Sequence, residues 1–89
     1  MVKRDVPPGG TTGPHTHPGV EISYVLAGTM ELHVLGKPTR VVHAGESTAI
    51  PRDTPHEAIN IGKEPLSLVV TYLVDKGSPV RTDVPPFDK

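Results

Sequence analysis

The chain contains no cysteine, so neither a disulfide framework nor a thiolate metal site can support it. With 89 residues it forms one small domain that buries a limited share of its surface. Oligomerisation or a bound metal are the remaining supplements for such a core. Tryptophan is absent, and Tyr24, Tyr72 and Phe87 are too few aromatics for a base-stacking platform. The formal net charge of -1, with both signs interspersed, leaves no basic patch for nucleic acid. No apolar run is long enough to span a bilayer, and "MVKRDVPPGG" has no signal-peptide core. The expectation from these absences is a soluble, cytoplasmic chain that binds neither membrane nor nucleic acid.

What the chain has in quantity is backbone punctuation. Eleven prolines and nine glycines interrupt it every several residues and exclude long helices. Between them lie short segments of period-two patterning. Residues 20–27 place Ile22, Tyr24 and Leu26 on one face, and Glu21, Ser23 and Val25 on the other. Residues 29–35 alternate Met30, Leu32 and Val34 against Glu31 and His33, and residues 35–38 read as a turn. Strands are predicted at 39–43, 46–50, 56–61 and 66–74, the last apolar on both faces and therefore central or covered. Short strands at this spacing predict an all-β sandwich or barrel over residues 1–74. Residues 75–89 carry three prolines and predict an extended tail.

The stretch "GPHTHPGVE" concentrates the chemistry. On a strand, His15 and His17 point the same way, and Glu21 shares their parity. Pro14 and Pro18 place them at a sheet edge or barrel mouth, where a ligand can enter. Taken alone, this pattern is more often a set of surface or hydrogen-bonded structural histidines. The barrel hydrolases that use a similar pair need a far longer chain. A third nitrogen is offered by His56, which opens a strand behind the proline-bracketed turn "PRDTP". Three imidazoles and one carboxylate suit Fe(II), Mn(II), Co(II), Ni(II), Cu(II) or Zn(II), and do not suit calcium or magnesium. Four such ligands on an ion that accepts six leave two positions for a chelating substrate, or for substrate and dioxygen.

These residues fall into two motifs that resemble the cupin family of small β-barrels. Gly9, His15, His17, Glu21 and Gly28 fill the first motif with its spacing intact. Gly45, Pro51, His56 and Asn60 fill the second, with Asp53 where the family has glycine. Asp tolerates the left-handed backbone that such a glycine implies, so the turn is expected to survive. The resemblance implies an antiparallel, jelly-roll-like barrel and a metal held by His15, His17, Glu21 and His56, with iron or manganese favoured. Cupins usually carry strands before the first motif, whereas eight residues precede Gly9 here. Either the fold is pared down or a partner chain covers the exposed edge. The stripe Ile22, Tyr24 and Leu26 also needs cover, and both features point to a homodimer.

The remaining polar and aromatic residues are read more plainly. Gly9, Gly28 and Gly45 belong to tight turns. Asn60 ties down a turn or a neighbouring strand, and His33 and His43 are solvated surface histidines. Tyr24 and Tyr72 are read as packing residues of core or interface ahead of substrate-facing phenols, and Arg52 as an exposed turn arginine ahead of a binder of anionic substrate at the barrel mouth. Ser23, Val25, Ala58 and Thr71 are expected to face inward. So small and apolar an interior favours metal-centred chemistry over general acid–base work. The reading is a small-molecule metalloenzyme of dioxygenase or oxidoreductase type. The alternative is a non-catalytic binding or sensor module, with a metal-dependent isomerase behind both. No residue outside the ligand set stands out as an acid or base.

Overall fold

The structure is a computed structural model, and it describes residues 1–74 and 81–87. Nine strands run in chain order: β1 (Val2–Val6), β2 (His15–Thr16), β3 (Gly19–Ala27), β4 (Thr29–Val34), β5 (Arg40–His43), β6 (Ser47–Ile50), β7 (His56–Asn60), β8 (Leu66–Val74) and β9 (Thr82–Asp83). They form two antiparallel sheets, ordered β1-β8-β3-β6 and β5-β4-β7-β2-β9. No helix among the described residues is long and apolar enough to cross a membrane.

Period-two patterning becomes burial most clearly in β3, whose residues alternate buried and exposed from Gly19 to Leu26. The two inner faces meet in a core of Val25, Met30, Leu32, Val42, Leu66, Leu68 and Val70. Strand β8 lies between β1 and β3, the central position its apolar sequence predicts. Its parity corrects one expectation: Thr71 stands opposite Ile22 and shares that outward face, while Val70 and Tyr72 face inward beside Ser23 and Glu21.

The eight residues before the first motif do hold a strand. β1 pairs with β8 over its whole length, so the edge of that sheet is made by the chain itself. Its weak patterning, exposed except at Val6, explains why the sequence did not mark it. Part of the proline-rich tail also pairs: Thr82 and Asp83 lie against Thr16 and His15 as β9. Residues 75–80 and 88–89 of that tail fall outside the described residues.

Turns fix the register between these strands. Gly28 has φ +90°, and a Cβ there would stand 3.0 Å from Leu66 Cα and from the Pro65 carbonyl oxygen. Only glycine permits that approach of the β3–β4 turn to β8. Asp53 takes the family's glycine position with φ +54°, as its sequence context predicts. Asn60 is buried at the end of β7. Its Nδ2 donates to the Val6 and Glu64 carbonyls at 3.0 and 2.8 Å, and its Oδ1 accepts from the Gly62 amide at 2.9 Å. One amide thus ties β1 and the β7–β8 turn to the sheet.

Candidate metal centre

Antiparallel pairing of β2 with β7 sets His15 directly opposite His56. Their ring centroids are 4.3 Å apart, and His17, two residues along, stands 4.7 Å from His15 and 5.1 Å from His56. Glu21 reaches across from β3 of the other sheet. Its Oε1 lies 3.4 Å from His17 Nε2 and its Oε2 lies 3.4 Å from His56 Nε2. All four side chains are buried, and one ligand atom from each lies within 4.8 Å of the others. The structure therefore brings together all four residues that the sequence selects.

Backbone carbonyls set the imidazoles. His15 Nδ1 contacts the Gly13 carbonyl at 2.6 Å, and His56 Nδ1 contacts the Thr54 carbonyl at 2.8 Å. A carbonyl only accepts, so in both rings Nδ1 carries the proton and Nε2 presents its lone pair to the centre. The loop of the second motif grips the first. The Asp53 amide donates to the His17 carbonyl at 2.9 Å, and Arg52 Nη1 donates to the Pro18 carbonyl at 2.7 Å. The left-handed turn at Asp53 is thus a positioning element for the short link between β2 and β3 that carries His17.

The electrostatics match a cation site. Burial, partly opposed by the hydrogen bond to Gly13, lowers the His15 pKa to about 4, with further lowering from His56, Arg81 and His17. His15 is therefore neutral at pH 7 and able to ligate. For Glu21 burial acts upward, but the polar contact with His56 and the charges of His56, His17 and His15 outweigh it. Its pKa stays below the usual carboxylate value, and the group is ionised. His56 Nε2 is buried with no hydrogen-bond partner among the described residues. Its 3.4 Å approach to Glu21 exceeds a charge-assisted hydrogen bond, which runs about 2.7–2.9 Å. Donors about 2.0–2.2 Å from one ion lie about 3–3.5 Å from each other, so the spacing suits a shared metal.

Beside the cluster lies a cavity of about 240 Å³. Its walls include Ser23 and Ala58, as predicted, together with Met30, Leu32, Leu68 and Val70. Tyr72, expected in packing, does pack against the core and also faces the cavity, the second reading its phenol allowed. The ring lines the cavity, 4.5 Å from the His17 centroid. Strand parity with Leu68 and Val70 is the signal that finds it. His33 also departs from expectation. It is buried at 6% exposure, with Nε2 2.5 Å from Glu31 Oε1 and Nδ1 3.1 Å from Thr39 Oγ1. The β4–β5 turn brings Thr39 over the ring, a contact that strand alternation does not encode. His43, by contrast, is exposed, and Tyr24 sits on the outer face.

Comparison with known proteins agrees with this geometry. Oxalate oxidase 2 of Hordeum vulgare is 40% identical to the chain, the match covering 81% of this chain and 36% of the oxidase. The chain thus spans about a third of the length of the curated relatives it matches. An oxalate oxidase in complex with the substrate analogue glycolate superposes with a TM-score of 0.72 at 39% identity, covering 76% of this chain and 38% of that one. The formate complex of Lactobacillus farciminis oxalate decarboxylase superposes with a TM-score of 0.78 at 27% identity, covering 92% and 25%. The family model for the cupin domain matches residues 2–72, a span that holds both motifs and all four clustered side chains. The chain belongs to the cupin family.

Proposed function

We propose that His15, His17, Glu21 and His56 hold one divalent transition metal, Fe(II) or Mn(II) by preference, and that the chain is an oxidoreductase acting on a small chelating oxygenated compound. The observation that carries this reading is the four-donor cluster lining a partly open cavity of about 240 Å³. A metal bound there supplies Lewis acidity and, if redox-active, one-electron exchange with dioxygen. The protein residues do the rest. The Gly13 and Thr54 carbonyls hold two imidazoles in the ligating tautomer. Glu21 contributes the one negative charge of the set, leaving a divalent centre with net positive charge that favours an anionic substrate. Met30, Leu32, Leu68 and Val70 exclude water and strengthen electrostatic interaction inside. The oxalate oxidase relatives make oxalate the first compound to test, followed by diketones and catechols.

Among the described residues the cavity offers hydroxyls but no histidine or carboxylate beyond the ligand set and the rim residue Asp5. That favours metal-centred redox chemistry over isomerisation, which needs a proton-transfer residue. It also leaves room for a binding module without turnover. Elemental analysis followed by oxygen-uptake assays separates these readings. Stoichiometric metal with oxygen consumption supports the oxidoreductase. Metal with substrate binding but no uptake supports the module, and no metal after anaerobic loading with Fe(II) or Mn(II) sinks both.

The second element of the proposal is a homodimer through the outer face of the β1-β8-β3-β6 sheet. Ile22, Tyr24 and Leu26 are 44%, 46% and 47% exposed, and Leu73, opposite Val20, is 60% exposed. A contiguous apolar row of this kind is costly to leave in water.

A further inference from the structure

Two cations line the cavity, Arg4 on β1 and Arg81 just before β9. Arg81 is held in a defined pose. Its Nε donates to Asp83 Oδ1 and its Nη2 to the Thr12 carbonyl, both at 2.7 Å. A guanidinium has five N–H donors, so these bonds leave donors over in a rigid fork. The chain also keeps room for it. A Cβ on Gly13 would stand 3.1 Å from Arg81 Nη2, and Gly13 has φ +75°. The carbonyl of the same glycine accepts from His15 Nδ1, so the arginine sits one residue's breadth from the backbone that orients a candidate ligand. The rim carboxylate of Asp5 is engaged elsewhere, by Ser67 Oγ at 2.9 Å and Lys3 Nζ at 3.9 Å. Arg81 lies beyond residues 2–72, outside the span matched by the family model, and reaches the cavity because β9 pairs with β2.

We infer that Arg81 selects the substrate class at this site: a small dicarboxylate, one end at the four-donor cluster and the other on the guanidinium of Arg81. The assignment deepens the metal-centre reading and rests on it. Charge and donor geometry support it: a divalent ion with one carboxylate ligand keeps net positive charge, and Arg81, ion-paired with Asp83 at 2.7 Å, still has N–H donors for a second carboxylate that a neutral chelator lacks. The cavity of about 240 Å³ has room for a dianion of a few carbons.

The test uses the metal-loaded protein, with metal content measured before any ligand is added. Titration calorimetry compares malonate with its neutral diamide, malonamide. Wild type is expected to bind malonate and discriminate against malonamide. Arg81→Gln should weaken malonate binding roughly tenfold to a hundredfold, the worth of hydrogen bonds to a charged group, while metal content stays constant. Arg81→Lys should recover part of the loss. Should either variant disturb β9, wild type carries the test alone: malonate should protect Arg81, and not the exposed Arg40, from phenylglyoxal. Equal malonate affinity in Arg81→Gln, or no protection of Arg81 at saturating malonate, overturns the assignment. Metal-free wild type after loading overturns the metal-centre reading instead, and is recognised before malonate is added.

Discussion

The two faces of β3 invert the usual arrangement. Its buried face carries Glu21 and Ser23 ahead of Val25, while its exposed face carries Val20, Ile22, Tyr24 and Leu26. An antiparallel strand in a monomer ordinarily hides the apolar set and shows the polar one. Here the carboxylate is inside because three imidazoles meet it there, and burying a charge is tolerable only with such partners. The apolar set is outside, where no described residue covers it. The difference matches the proposed division of labour, in which the inner face serves a ligand and the outer one a second copy of the chain. The inner face itself changes along the strand, from the polar cluster at Glu21 to the fully buried Val25 of the core.

Breaking the inward face should have the largest effect. His56→Ala or Glu21→Ala should take the protein from near-stoichiometric metal to almost none by elemental analysis. Retention of metal by both variants would refute the ligand set. On the outward face, Tyr24→Glu should convert a dimer to a monomer in sedimentation analysis and leave metal content unchanged. A wild-type chain that is monomeric at high concentration would remove the partner from the comparison. At the core end of the same strand, Val25→Ala should cost about 1.5–3 kcal/mol in denaturant unfolding, since a fully buried side chain is truncated. A cost near zero would mean that the neighbouring strands collapse into the space.

Acid sharpens the same comparison without mutation. In metal-free protein His15 has a pKa of about 4 against an ordinary 6.5, so the unfolded chain takes up this proton first as pH falls. Its contribution to stability is complete above pH 6.5 and is lost on descending toward pH 4. Glu21, also lowered, acts in the same direction and is lost as pH falls through its folded value. The melting temperature should therefore fall through this window, and His15→Ala should flatten the profile. The smallest effect is expected from His43→Ala, an exposed site, which should change neither metal content nor melting temperature. A loss of metal there would mean that the site extends beyond the inner face.

Much of the site was legible because its spacing is local. His15 and His17 share a face by strand parity, and Asp53 stands where a left-handed residue is needed. Strand parity also separated Ile22, Tyr24 and Leu26 from Glu21, Ser23 and Val25. It failed at Thr71, where an apolar strand offers no contrast between its faces. His33 was misread because its ring bonds Thr39 in the β4–β5 turn as well as Glu31, and strand alternation does not place that turn.

By itself, then, the sequence pointed to the strand-rich architecture and the apolar outer stripe through side-chain alternation and local turn residues, and to the four-donor set through the resemblance of its two motifs to the cupin family. Tertiary structure alone decided that β1 closes the edge beside β8, that β9 lies on β2, and that Arg81 reaches the cavity across from Thr12. Periodicity states which face a residue occupies. It does not state which strand will lie alongside, since that choice is made by hydrogen-bonded pairing between segments distant in the chain.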